Sequence, residues 1–153
     1  MLYAIVLTIH SWLRWIVLLA GIAAFIGSAT AASRRATWRP GDDRVGFWFI
    51  TVLDTQVLLG LILYVFLSPF THAAFRDFGG AMRNSGLRYW AVEHVVGMLV
   101  GVALAHVGRV RGRKTDSLRR HRVVAIFFGL ALVAIAASIP WPGMPAGRPL
   151  LRW

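Results

Sequence analysis

The sequence predicts an all-α integral membrane protein, a four-helix bundle that runs up-down-up-down with both termini on the outer side. Three observations predict this fold. Of the 153 residues, 58% are hydrophobic and 15% are charged, a balance too apolar for an ordinary soluble domain. Four apolar stretches each approach or exceed the ~20 residues that cross a hydrocarbon core ~30 Å thick. The basic residues concentrate in two of the three connectors between these stretches.

The apolar stretches are expected to form helices, because backbone polar groups in lipid must bond within their own segment and no proline interrupts them. Their approximate bounds are 2–32, 45–67, 89–107 and 123–139, within a single membrane domain of residues 1–153. A cleaved signal peptide is disfavoured, since the first stretch lacks a basic segment before it and Arg34 and Arg35 follow it.

The connectors predict the orientation of the helices. Arginines are dense in the first connector, 33–44, and in the third, 108–122, and sparse in the longer second connector, 68–88. Cytoplasmic loops carry the excess of basic residues, so the first and third connectors are expected to face the cytoplasm. The net charge of +11 is then an orientation signal, with anionic lipid rather than nucleic acid as its partner.

Two segments outside the spans have their own signals. In the second connector, aromatic and charged residues followed by Gly79 and Gly80 predict a short surface helix at about 70–80 that the glycines end. The tail, 140–153, cannot continue the fourth helix because prolines recur in it. Its tryptophans predict a cap at the membrane interface.

Ionisable side chains within the apolar stretches are candidate functional residues, since each costs roughly 2.5–3.5 kcal/mol to insert and is expected to face the bundle interior. They are His10, Arg14, Asp54, Glu93 and His94, with Gln56 and His106 as weaker members. His10 and His94 both lie roughly 8–12 Å below the outer surface at ~1.5 Å per residue. Because the first and third helices of such a bundle are diagonal neighbours, the two imidazoles could ligate the iron of one haem b.

The small residues near these histidines admit two interpretations. Gly97 and Gly101 continue the face of His94, where a porphyrin needs the backbone to come close. The same Gly-x-x-x-Gly spacing packs helices in membrane proteins that bind nothing. Likewise Arg14 could pair with a haem propionate, or with Glu93 in a buried ion pair. Spacing alone leaves both interpretations open.

The other polar residues are assigned by helical position. Glu93 points about 100° away from His94, so another partner or a proton is expected for it. Gln56 shares a stripe with Gly60 and Tyr64.

Asp54 is expected to be a proton site or a partner of His106, although pairing with a connector arginine is preferred. His121, among arginines, is expected to be solvated, and His72 to lie on the surface.

Several chemistries are disfavoured by what the sequence lacks. It has no cysteine, so any metal or haem iron would need histidine or methionine. It has no His-x-x-x-His pair on one helical face, no glycine-rich phosphate loop and no zinc-ligand spacing. A hydrolase or a nucleotide-dependent enzyme is therefore not expected.

Four motifs spread over the whole chain carry a family resemblance. They are His10-Ser-Trp-Leu-Arg-Trp15, Trp90-Ala-Val-Glu-His94, Gly108-Arg109, and Ile139-Pro-Trp-Pro142 with Arg148-Pro149. With these the chain resembles a family of small bacterial four-helix membrane proteins described as cytochrome b-like. The resemblance implies a haem-binding or respiratory association, with His10 and His94 matching the two histidine motifs. The expected location is the bacterial inner membrane, where the orientation predicted from the connectors puts both termini in the periplasm. Similar proteins can carry histidine in the second helix where this chain has Gln56, which argues against a second haem.

The expected function is therefore that of a membrane b-type cytochrome-like protein, with one bis-histidine haem near the outer face and electron transfer that could involve quinone. An electron carrier or a subunit is expected rather than a stand-alone enzyme. The alternative is a cofactor-free accessory subunit of a larger respiratory or photosynthetic complex, which the small size and aromatic tail would suit. A proton-coupled transporter using Asp54 and Glu93 is a third possibility, disfavoured because no inverted repeat is evident.

Overall fold

The computed structural model describes residues 1–150, and these residues form helices and turns without strands. The α-helices are α1 (Leu2–Ser33), α2 (Pro40–Ile62), α3 (Pro69–Arg76), α4 (Phe78–Arg83), α5 (Ser85–Arg88), α6 (His94–Arg113) and α7 (Ser117–Ala137). A π-helical segment, Leu63–Leu67, continues α2, and a second, Tyr89–Glu93, leads into α6.

Four helical segments are long and apolar enough to cross a membrane. They are Leu2–Ser33, Pro40–Leu67, Ser85–Arg113 and Ser117–Ala137. The second, third and fourth segments include polar residues beyond the apolar stretches of the sequence. The reason is that backbone hydrogen bonding continues past the hydrocarbon-like portion, whereas hydropathy marks only that portion.

Polar side chains fix where the helices begin. At the start of α2 the backbone N–H of Arg39 donates to Asp42 Oδ2 at 2.7 Å, and Pro40 occupies the first helical position. At the start of α7 Asp116 Oδ1 accepts from the backbone N–H of Arg119 at 3.1 Å. These carboxylates also oppose the positive end of each helix dipole.

The second connector holds three short helices rather than one. Asp77 separates α3 from α4, with a non-helical backbone and a side chain that accepts from the backbone N–H of Gly80 at 2.9 Å. Gly79 and Gly80 lie inside α4, so the prediction that they end a helix is wrong. The tail forms turns after α7, and residues 151–153 of the predicted cap lie outside the described residues.

The long helices pack unevenly around a common core. α7 packs along both α1 and α6, and α1 also packs along α2, whereas α2 and α6 contact each other much less. The core centres on Phe49 and Phe128, whose rings meet edge to face with centroids 5.0 Å apart. The sparse contact between α2 and α6 leaves room for a cavity.

Candidate functional site

A cavity of about 120 Å³ lies among the start of α1, the end of α2 and the start of α6. At ~10–15 Å³ per water position, it has room for roughly ten water molecules. Its polar lining consists chiefly of His10, Arg14, Gln56, Tyr64, His94 and Arg148. Leu61 and Leu99 also line the cavity and are 39% and 47% exposed, so the cavity reaches the side of the protein between α2 and α6.

His94 is held in one orientation by the end of α7. Its Nδ1 lies 2.7 Å from the carbonyl oxygen of Ser138, to which the hydroxyl of Tyr89 also donates at 2.7 Å. A carbonyl only accepts, so Nδ1 carries the proton and Nε2 keeps its lone pair. Within residues 1–150 Nε2 makes no hydrogen bond. This is the arrangement of a metal-ligating histidine supported by a backbone carbonyl.

The position of His94 depends on the second π-helical segment, which ends at the residue before it. Rings of Tyr89 and Trp90, both in that segment, lie with centroids 5.7 and 5.5 Å from the imidazole. Such segments are frequent at functional sites because they change the direction of side chains within a helix.

His10 is held by Gln56. The amide nitrogen of Gln56 lies 3.2 Å from His10 Nε2 and 3.0 Å from the His10 carbonyl oxygen, so it donates to both. Nε2 is then the acceptor, and Nδ1 carries a proton that is buried without a hydrogen-bond partner among the described residues.

Gly60 is a site residue that sequence analysis placed on one helical stripe with Gln56 and Tyr64 but did not identify as part of the site. A Cβ at this position would lie 3.2 Å from His10 Cε1, so the absence of a side chain makes room for the imidazole. Gln56, Gly60 and Tyr64 all line the cavity, and the stripe is therefore the cavity face of α2. Its spacing of four residues was the signal from which Gly60 could have been identified.

The donor atoms of the two imidazoles suit a ligated iron, with one adjustment at His10. His94 offers Nε2 as it stands. The amide nitrogen of Gln56 contacts both Nε2 and the carbonyl oxygen of His10. His10 could offer Nε2 to a ligand only if Gln56 lost the contact to Nε2 and kept the one to the carbonyl oxygen. The orphaned Nδ1 of His10 shows that its present hydrogen bonding is incomplete.

The tail closes one side of the cavity with cationic groups. Arg148 lies over the rings of Phe70 and Trp90, at 4.6 and 5.2 Å from their centroids. Arg14 donates from Nη2 to the carbonyl oxygen of Leu150 at 2.8 Å, which fastens the tail to α1. Two guanidinium groups therefore border a largely apolar cavity, a setting suited to a ligand with anionic substituents.

Gly97 and Gly101 face α7 and not the cavity, contrary to the expectation that they flank a cofactor. A Cβ on Gly97 would overlap Ser138 Oγ, and a Cβ on Gly101 would lie 2.7 Å from Ile135 Cγ1. Of the two interpretations of the Gly-x-x-x-Gly spacing, the structure supports helix packing.

Glu93 pairs with Arg88 rather than with Arg14. The Arg88 Nε to Glu93 Oε1 distance is 2.6 Å, and both side chains are nearly half exposed. The buried ion pair between Arg14 and Glu93, one of the two alternatives for Arg14, is therefore not the pairing found for Glu93.

Asp54 pairs with His106, at 2.8 Å from Oδ1 to Nε2. The preferred expectation, that Asp54 pairs with a connector arginine, is wrong. The alternative expectation, that Asp54 pairs with His106, is confirmed. Asp54 and Glu93 therefore belong to separate pairs.

His121 is buried, contrary to the expectation that it is solvated. Only 1% of its side chain is exposed, its ring lies 4.7 Å from that of Trp38, and its Nε2 is 3.7 Å from Asp42 Oδ2. The guanidinium of Arg120 lies over the ring of Trp38, 4.1 Å from its centroid, and donates to Asp43 Oδ1 at 2.9 Å. The neighbouring arginines suggested that His121 is exposed to solvent. Its side chain is buried because it lies on the face of α7 that Trp38 covers.

His72 is exposed, in accord with the expected surface position, and its Nε2 lies 3.3 Å from the Val65 carbonyl oxygen.

The fold and the site together define an all-helical protein that has four helices of membrane-spanning length and a histidine-lined cavity among them. No protein-family model, no curated protein and no solved structure matches the chain.

Proposed function

We propose that the protein is a membrane b-type cytochrome-like electron carrier that holds one haem b between His94 and His10, with quinone as a candidate redox partner. The observation that carries the proposal is His94: its proton is fixed on Nδ1 by Ser138, and its free Nε2 belongs to a cavity that His10 also lines. A bound haem would supply reversible one-electron chemistry at its iron.

The protein residues have distinct parts in this proposal. The Ser138 carbonyl holds the tautomer of His94 and raises the basicity of its Nε2. Gln56 would keep its hydrogen bond to the His10 carbonyl oxygen while His10 Nε2 served as a ligand. Arg14 and Arg148 line the cavity and would be placed to meet the anionic substituents of a haem, with the Phe70 and Trp90 rings beside Arg148.

The proposed setting is the bacterial inner membrane, with an up-down-up-down bundle and both termini in the periplasm. Contacts between the first and third connectors support it. The backbone N–H of Trp38 donates to Ser117 Oγ at 2.7 Å, and Arg120 Nη2 donates to Asp43 Oδ1 at 2.9 Å, so the two arginine-rich connectors lie at one end of the helices. The positive-inside bias makes that end cytoplasmic, where anionic lipid would bind, and the cavity lies toward the other end.

A reduced-minus-oxidised absorption spectrum of the purified protein, and of membranes that contain it, tests the proposal. We expect a b-type band that His94→Ala and His10→Ala each abolish and that the matched control His72→Ala retains. Absence of the band from both the purified protein and the membranes refutes haem binding. A band lost in His94→Ala but kept in His10→Ala would instead refute the bis-histidine ligation alone.

A second candidate, a cofactor-free accessory subunit of a larger respiratory or photosynthetic complex, is favoured by one observation. Gln56 already satisfies Nε2 and the carbonyl oxygen of His10 without any cofactor. Blue-native gels of gently extracted membranes test this candidate, which requires migration in a large complex. Migration as a small free protein contradicts it.

A further inference from the structure

Two polar contacts join the second and third membrane-length segments at different levels. Asp54 pairs with His106, and ten residues farther along the chain the Tyr64 hydroxyl donates to the carbonyl oxygen of Ala91 at 2.8 Å. Higher numbers on one segment meet lower numbers on the other, so the two segments run antiparallel. About 15 Å of helix separates the two contacts at ~1.5 Å per residue.

The cavity opens sideways between these two contacts. Leu61 lies seven residues after Asp54 and Leu99 lies seven residues before His106, so the two leucines are at one level of the antiparallel pair. Both line the cavity and are exposed, whereas the other described lining residues, apart from Pro149 in the tail, are buried or half-buried. We call the opening that Leu61 and Leu99 flank the α2/α6 window.

The window lies at a depth where lipid borders a membrane-spanning helix. Leu99 is the middle residue of Ser85–Arg113, and Leu61 lies six residues from the end of Pro40–Leu67. At ~1.5 Å per residue these positions are roughly 20 and 9 Å from the nearer end. The two segments, of 29 and 28 residues, extend beyond a ~30 Å hydrocarbon core by only about 6 Å at each end, so both leucines lie within that core.

Hydrogen bonds hold the connector and the tail against other sides of the cavity. Ser68 and Thr71, at the start of α3, line the cavity and are 9% and 3% exposed. The carbonyl oxygen of Leu150 accepts from Trp15 Nε1 at 3.1 Å, in addition to its bond from α1 already described, and so anchors the residue after Pro149. Entry from water past Pro149 would require the tail to detach, whereas entry from lipid requires only side chains at the window to move.

We propose that the cavity takes its ligand from the bilayer through the α2/α6 window, and that this ligand is a membrane-soluble amphiphile with an apolar body and a polar or anionic end. Apolar lining residues such as Val57, Val95 and Met98 suit the body, and Arg14 and Arg148 suit the end. A wholly polar ligand would lose its hydration against this lining. The inference rests on the proposed function in taking this cavity as the ligand site, and it applies to haem and to quinone alike.

Thiol labelling of the full-length protein in lipid nanodiscs tests the route, since the chain has no cysteine of its own. Val57→Cys and Met98→Cys each place a thiol in the cavity lining, one on α2 and one on α6. We expect a membrane-soluble maleimide to label both, and a charged methanethiosulfonate to label neither until the protein is denatured. His72→Cys, exposed on the second connector, is the control that the charged reagent should label in the folded protein.

The window itself is tested by adding Leu61→Trp to Met98→Cys, because the larger ring narrows the opening. Leu58→Trp is the matched control, since Leu58 is 59% exposed on α2 and does not line the cavity. The maleimide should label Met98→Cys severalfold more slowly with Leu61→Trp and at the parent rate with Leu58→Trp. Circular dichroism confirms that each variant is folded. Haemin and decylubiquinone, added separately, distinguish the two ligands, because the one that occupies the cavity should protect the thiol from the maleimide.

Three results would overturn the proposal. One is labelling of the cavity thiols by the charged reagent in the folded protein, which would mean entry from water. Another is an equal labelling rate with Leu61→Trp and Leu58→Trp. The third is protection of the thiol by neither haemin nor decylubiquinone. The labelling rates require no bound haem, so failure of the route and absence of a b-type band are separate results.

Discussion

Gly97→Ala is expected to destabilise the protein through a contact that also supports His94. The added Cβ would overlap Ser138 Oγ and lie 2.8 Å from Ser138 Cβ, so the end of α7 must shift away from α6. Overpacking of this kind costs about 1–3 kcal/mol. Alanine also gains roughly 1 kcal/mol over glycine in a helix, which would hide part of the cost.

Gly27→Ala is the matched control, because a Cβ there has nothing within 4 Å and the gain in helix propensity is the same. The difference between the free energies of unfolding of the two variants therefore isolates the cost of the clash, about 1–3 kcal/mol. With roughly 2–4 °C per kcal/mol for a chain of this length, Gly97→Ala should melt about 2–12 °C below Gly27→Ala. Thermal unfolding in detergent, followed by tryptophan fluorescence or circular dichroism, measures the difference.

A rescue variant sharpens the test. Ser138→Ala removes the overlapping Oγ and keeps both the Cβ and the carbonyl that binds His94. In the Gly97→Ala background it should restore part of the lost stability. The reasoning would be refuted if Gly97→Ala melted with Gly27→Ala, or if Ser138→Ala gave no recovery relative to its effect in the parent.

Three further changes have expected outcomes in the same unfolding assay. Gln56→Leu leaves Nε2 of His10 without its donor and should cost about 1–3 kcal/mol; an unchanged melting temperature would contradict the assigned contact. Phe128→Ala removes the ring that packs on Phe49 and should cost about 3–5 kcal/mol, whereas an effect below 1 kcal/mol would argue against this core. Thr71→Val keeps the shape but loses the 2.7 Å hydrogen bond to the first π-helical segment, for an expected loss of about 1 kcal/mol, and a gain in stability would contradict it.

The four long helices could be predicted because hydropathy depends on local composition. Each apolar stretch is long enough that no arrangement of its neighbours changes the outcome. The helix ends were less predictable, since capping contacts such as that of Arg39 with Asp42 extend helices into polar sequence. The π-helical segments have no signal in hydropathy, as five consecutive residues of the same composition fit either an α-helix or a π-helix.

Side-chain partners could be predicted only in part, because they depend on how the helices are rotated against one another. The direction of Glu93 away from His94 follows from helical geometry alone. Its partner Arg88 lies five residues earlier, across the π-helical segment that hydropathy does not report, whereas the Ser138 carbonyl beside His94 follows from tertiary packing. Burial of His121 likewise depends on the position of Trp38 in a distant connector, which charge pattern does not report.

The π-helical segment at Tyr89–Glu93 makes the length of this stretch consequential. A π-turn holds about one residue more than an α-turn, so deletion of one residue within the segment would let a regular α-helix form. The loss would be absorbed within one turn, so the residues before the segment would keep nearly the same direction relative to α6. The side chains inside the segment, Trp90 among them, would instead be redistributed around that turn, although the apolar composition and the helix itself would be almost unchanged. In this stretch chain length, more than residue type, determines which side chains surround the imidazole, so a one-residue deletion there should change the neighbours of His94 more than a conservative substitution does.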